Sequence, residues 1–154
     1  MTTPEEILAA ARERGQSGQF PYAGAVTPTE AHSLLLMAPK VKLVDVRTNA
    51  ERDWVGRVLL PESQHLAVQW SLYPGGTPNP EFIWELNQVA ASDDVLLFLC
   101  RSGVRSRHGA KLATEHGYAN CFDILEGFEG DKDSHGHRKT VGGWCHAGMP
   151  WVGA

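Results

Sequence analysis

The segment Cys100-Arg-Ser-Gly-Val-Arg-Ser106 gathers a thiol, two guanidinium groups, two hydroxyls and a glycine into seven residues. A thiolate, not a thiol, is the nucleophile, and its pKa falls beside cations and helix N-termini. Arg101 and Arg105 supply cations, and Gly103 permits a tight backbone that turns successive N–H groups inward as an anion-binding nest. Ser106 is placed to cap the helix behind it. Such a cradle binds a doubly charged oxyanion and stabilises negative charge on a sulfur as it transfers. The plain alternative is a structural cysteine at a strand end. A cysteine, a glycine and two arginines within six residues favour a site instead. Cys100 is the candidate nucleophile, with Arg101, Ser102, Gly103, Val104, Arg105 and Ser106 as its binding loop.

These residues need a strand before them and a helix behind. Val95-Leu-Leu-Phe-Leu99 is an unbroken apolar run that suits a central parallel strand covered on both faces. Val104 to His116 then reads as a helix ended by Gly117. In open α/β sheets ligands sit beyond the carboxyl ends of the strands, where Cys100 falls. Other strands are expected at 41–46, 65–68 and 121–125, and helices at 82–90 and 140–147. Thr3-Pro-Glu-Glu6 and Thr27-Pro-Thr-Glu30 each carry an N-cap, an early proline and a glutamate three residues on. The first predicts a short helix through Ala11 and the second a helix through Met37, while Thr48 caps a short helix holding Ala50 and Glu51. Gly15 to Gly24, glycine-rich and polar, reads as a linker, and Ser71 to Pro80 as a loop. The pattern is an α/β fold with a mostly parallel sheet and right-handed crossovers, with 1–24 as an N-terminal helix and linker and 25–154 as the domain.

Four stretches together resemble one family. Cys100-Arg-Ser-Gly-Val-Arg105 is similar to the active-site loop of the rhodaneses, the thiosulfate sulfurtransferases. Leu43-Val-Asp-Val-Arg47 with Glu51 resembles the family's first-strand motif, and Leu125-Glu-Gly-Phe-Glu-Gly130 its glycine-rich segment. Gly143-Trp144 and Gly148-Met-Pro-Trp151 resemble its closing motif. The chain departs from the family after the first helix, with Gly56-Arg-Val58 and then Pro61-Glu-Ser63 where Gly-His-Ile and Pro-Gly-Ala are common. The resemblance implies a rhodanese-like domain with a central, mostly parallel five-stranded sheet flanked by helices on both faces. It implies a ping-pong transfer in which thiosulfate leaves sulfane sulfur on Cys100 as a persulfide and a thiol, cyanide or protein cysteine removes it. No metal or organic cofactor is implied. A persulfide carrier or sensor serving a protein partner would use the same thiolate. A phosphatase or arsenate reductase would want arginine after five residues, where this chain has Ser106.

The remaining residues are weighed against that reading. Asp45 and Arg47 follow a central strand, and the structural reading has Asp45 holding the cysteine loop while Arg47 pairs with Glu51. His135 and His137 with Asp131 and Asp133 read as a solvated turn rather than a metal site. Cys121 lies in a strand pattern and reads as inert, Cys145 is the candidate resolving thiol, and Trp144 and Trp151 read as packing residues. A net charge of −4 argues against nucleic acid, which wants a basic face. No run of about 18 apolar residues suggests a membrane helix, and the start Met1-Thr-Thr-Pro4 lacks the basic and apolar parts of a signal peptide. A cytoplasmic protein is expected.

Overall fold

Three threonines open three helices. The structure, a computed structural model, describes residues 3–153; residues 1, 2 and 154, at the outer limits of the two expected segments, lie outside it. Thr3 caps α1 (Pro4–Ser17), Thr27 caps α2 (Pro28–Met37) and Thr48 caps α3 (Asn49–Trp54), each accepting the backbone N–H of the glutamate three residues on. At Thr27 and Thr48 the glutamate returns the bond to the cap's own N–H, completing a capping box. Two further helices follow, α4 (Phe82–Val89) and α5 (Val104–Glu115).

The strands are β1 (Gly24–Val26), β2 (Lys42–Asp45), β3 (Arg57–Val58), β4 (His65–Ala67), β5 (Ser71–Leu72), β6 (Thr77–Pro78), β7 (Leu96–Leu99), β8 (Cys121–Ile124) and β9 (Trp151–Val152). Five of them form one sheet in the order β1-β8-β7-β2-β4, every pair parallel. Side chains alternate across a strand, so the sheet builds two cores. On one face Leu43, Leu97, Leu99, Phe122 and Ile124 pack with Ile7 and Ala11 of α1, Leu34 and Leu35 of α2, and Trp144. On the other, Val44, Leu96, Phe98 and Cys121 pack with Phe82 and Leu86 of α4 and Ala110 and Ala113 of α5. Every residue of β7 and β8 is buried, as two-sided coverage requires.

Three local expectations are corrected. Helix α1 runs past Gly15 to Ser17, and Gly24 belongs to β1 rather than to a linker. Gly15 acts here as a contact point: a Cβ on it would strike the carbonyl of Ala23, and one on Gly24 would strike that of Ala11. These two glycines let α1 lie directly on β1. Arg14 fastens the contact by donating to Ala25 O at 2.9 Å and pairing with Glu30 at 2.7 Å. Residues 140–147 form turns, not a helix. Two N–H groups in the middle are taken up across the chain, Trp144 donating to Gly127 O at 2.8 Å and Cys145 to Phe128 O at 3.1 Å, which removes two bonds a helix would need. Within the expected loop at 71–80, β5 and β6 pair as a two-residue antiparallel ladder.

The departure after α3 is resolved locally. Arg57 and Val58 pair antiparallel with β9, and a 3₁₀ turn at Glu62–Gln64 leads into β4 at the sheet edge. Gln64 is buried there, its amide donating to the carbonyls of Leu35 and Val41 at 2.9 Å each. Among the described residues no helix is long and apolar enough to cross a membrane.

Candidate active site

Strand β7 ends at Leu99, so Cys100 emerges at the carboxyl edge of the sheet, between β2 and β8. Gly103, at φ 109°, is the N-cap of α5 and donates its N–H to Cys100 Sγ at 2.9 Å. Ser106 Oγ lies 3.3 Å from the same sulfur. The Gly103 N–H at the start of α5 thus points at the sulfur, while Ser106 presents its oxygen to the thiol because its proton goes to Asp123. Ser106 is not the helix cap: it sits inside the first turn, fully buried, and donates to Asp123 Oδ1 at 2.5 Å. Cys100 itself is 1% exposed, so a donor reaches its sulfur only when the loop opens. Ser102 and Gly103 border a cavity of about 200 Å³ beside the loop, and Val104 is exposed.

Both arginines of the loop are already engaged. Arg105 grips Glu51 with two bonds, at 2.6 and 2.8 Å, and Arg101 pairs with Glu129. Burial opposes ionisation of Glu51, but hydrogen bonds from Arg105 and from the Thr48 N–H outweigh it and hold the carboxyl at about 2. The pair with Glu51 likewise raises Arg105 above its ordinary value. Glu51 therefore neutralises the loop arginine rather than Arg47, contrary to expectation. A third guanidinium, that of Arg107, donates through Nε to Gly103 O at 2.6 Å and steadies the turn from below.

Asp45 does not hold the cysteine loop. Its carboxylate accepts from Arg47 Nε at 3.0 Å and from Nη2 at 2.9 Å, and both residues are fully buried. Arg47 continues to Gly56 O at 2.8 Å and lies over the Phe128 ring at 4.3 Å, while Arg52 donates to Arg47 O at 2.9 Å. The connection to the cysteine is indirect. Phe128 N–H donates to Cys100 O at 2.8 Å and Glu129 N–H to Arg101 O at 2.9 Å, so residues 125–130 wrap the loop. Gly127 makes that possible: at φ 68° it sits where a Cβ would come within 2.6 Å of Arg101 C and 2.7 Å of Cys100 O.

A rhodanese-like domain model matches residues 27–134, from the cap of α2 through the cysteine loop and the glycine-rich segment. The chain belongs to the rhodanese-like family. An uncharacterised Rickettsia rickettsii protein is 34% identical over 131 residues, covering 82% of this chain and 94% of that one. The thiosulfate sulfurtransferase GlpE of Haemophilus influenzae is 28% identical over 98 residues, 62% of this chain and 79% of that one. Among solved structures, Rv0390 from M. tuberculosis is 39% identical with a TM-score of 0.78, over 86% of this chain and 99% of that one. The polysulfide-sulfur transferase of Wolinella succinogenes, at 15% identity and a TM-score of 0.62, shares the rhodanese-like fold.

The other weighed residues lie outside the cysteine loop. Burial pushes the thiols of Cys121 and Cys145 up to about 11. Trp144 is fully buried and donates to Pro150 O at 2.9 Å, and Trp151 meets the Phe128 ring edge-on. Asp133 spends its carboxylate on the backbone N–H groups of His135 and His137 and on Thr140, building the turn. Among the described residues no group of three His, Cys, Asp or Glu is placed to hold a metal ion. Two residues escaped the sequence reading, Glu129 and Asp123. Asp123 carried a signal: an acid inside the apolar run Cys121-Phe-Asp-Ile-Leu125, at the carboxyl end of a strand, is a buried charge in search of a partner.

Proposed function

We propose that the protein is a sulfurtransferase that moves sulfane sulfur from thiosulfate, or a donor of like chemistry, to a thiophilic acceptor. The observation that carries this is the cradle around one sulfur: Cys100 Sγ at a strand end, with the Gly103 N–H at 2.9 Å and the Ser106 hydroxyl at 3.3 Å. In the first step the Cys100 thiolate attacks the outer sulfur of thiosulfate. The S–S bond to the sulfonate breaks, sulfite leaves with its electron pair, and a persulfide remains on the enzyme. In the second step a cyanide, a low-molecular-weight thiol or a protein cysteine attacks the outer persulfide sulfur and regenerates the thiolate. The Gly103 N–H, already aimed at the sulfur, stabilises charge on it in both steps. The chemistry is carried by the cysteine alone, with no cofactor. Ser106, standing where a phosphatase or arsenate reductase would want its arginine, supports sulfur transfer over phosphate chemistry. All three cysteines are free thiols, in keeping with a reducing compartment, and we place the protein in the cytoplasm.

Incubation with thiosulfate followed by intact-mass measurement tests the proposal. The expected result is a gain of one sulfur atom, removed by cyanide and absent from Cys100→Ser. Sulfur gained from another persulfide but not from thiosulfate would move the donor. Sulfur gained but released only to a protein thiol would make the protein a carrier rather than a small-acceptor enzyme. No sulfur from any donor would overturn the reading.

A further inference from the structure

The sheet brings a second ionisable group to Cys100. In the register of β7 and β8, Asp123 stands beside Phe98, two residues before the cysteine. Phe98, Cys100 and Cys121 pack on the α5 face, and alternation along β8 puts Asp123 on that same face. The first turn of α5 then lowers Ser106 between them. Its hydroxyl lies 3.3 Å from Cys100 Sγ and donates to Asp123 Oδ1 at 2.5 Å. Asp123 is 2% exposed, and Ser106 is its hydrogen-bond partner among the described residues. Buried carboxylates elsewhere in the chain meet an arginine; this one meets a hydroxyl that also touches the nucleophile.

We propose that Asp123 is a positioning residue that takes up and returns the thiol proton of Cys100 through Ser106. The proton leaves Cys100 Sγ for Ser106 Oγ as Ser106 passes its own hydroxyl proton to the Asp123 carboxylate. No bond between heavy atoms changes. The products are a thiolate, a restored serine hydroxyl now donating to the sulfur, and a neutral carboxylic acid donating to the serine. A single negative charge is thereby shared, and two anions flanking one hydroxyl are avoided. This rests on Cys100 being the nucleophile of the proposed reaction.

The surroundings suit a proton store. Burial pushes the Asp123 carboxyl up to about 7, against the opposing pull of the Ser106 hydrogen bond and of Arg107. Arg107 comes from α5, Tyr22 from the segment before β1, and Glu126 and Asp131 from the chain after β8; all border the cavity of about 200 Å³ that reaches Asp123 beside Ser102 and Gly103. That cavity gives the carboxyl a route for exchange with water. An acid whose pKa lies near neutrality is the one best able both to receive and to return a proton at working pH.

The test is the rate of Cys100 alkylation by iodoacetamide against pH, read at the Cys100 peptide by mass spectrometry in the full chain. Two interacting acids titrate in two steps when their interaction exceeds about one pH unit. The wild type is expected to show two inflections and Asp123→Asn one, with the variant alkylating about tenfold faster at pH 8 because the second charge is gone. Ser106→Ala keeps both acids but removes the bridge, and its two inflections should draw together, which serves if Asp123→Asn does not fold. In the infrared, the carboxylic-acid C=O band absent from Asp123→Asn should titrate at lower pH once Cys100 is alkylated. One shared inflection in all three proteins, or a band that alkylation does not move, would overturn the proposal. Alkylation needs no sulfur donor, so failure of sulfur uptake would sink the proposed reaction and leave this result standing.

Discussion

At Glu51 one carboxylate performs two tasks, completing the capping box of α3 and neutralising Arg105 of the cysteine loop. Its folded-state carboxyl, held at about 2, lies below its ordinary value of 4.5. A depressed carboxyl contributes stability that is fully present above the unfolded value and is lost as pH falls through the folded one. Glu51→Gln is expected to cost about 2 kcal/mol at neutral pH, less than the full shift because both side chains are partly solvated. Denaturant titrations of the two proteins should converge as pH falls from about 4.5 towards 2. A difference that stays constant over that window would mean the carboxylate charge contributes nothing.

At the scale of elements, the cysteine loop is held from behind by the glycine-rich segment and that segment by the end of β2. Gly127→Ala places a methyl against the backbone of Cys100 and Arg101 and also strains a left-handed φ. A loss of about 1–3 kcal/mol is expected, with a larger proportional loss of sulfur uptake because the loop is displaced. Melting and uptake measured on one preparation check this; full uptake would show that the segment yields. Asp45→Ala removes the carboxylate that Arg47 and Arg52 surround, leaving buried cations uncompensated. It is expected to cost about 3–5 kcal/mol while uptake per folded molecule changes little. A large rate loss at an unchanged melting temperature would instead place Asp45 in the chemistry.

For the whole molecule, the question is whether the amino-terminal arm is a separable attachment. Ile7 and Ala11 are buried in the same core as Leu43, Leu97 and Phe122, and α1 meets β1 at two glycines. Ile7→Ala is expected to cost about 2–5 kcal/mol in denaturant unfolding, with one cooperative transition. A change within about 0.5 kcal/mol would mean that the arm adds little to the fold.

The residues alone determined what local chemistry can specify. Threonine, proline and glutamate spacing placed three helix starts, because a cap is satisfied within four residues of itself. The apolar run at 95–99 and the glycine at 103 placed a strand, a turn and a thiol in order. What tertiary structure decided is which charges meet. Glu51 lies four residues from Arg47 in sequence but pairs with Arg105, fifty-four residues away, because Arg47 is drawn inward by Asp45. Gly15 and Gly24 look like breakers until a helix is laid across a strand. The turns at 140–147 replace a helix because the N–H groups of Trp144 and Cys145 find carbonyls in the glycine-rich segment. Asp123 reaches Cys100 only through the pairing of β7 with β8 and the seat of α5 upon them. Caps and periodicities are short-range and can be read along the chain; ion pairs and close backbone approaches depend on distances that only the folded chain defines.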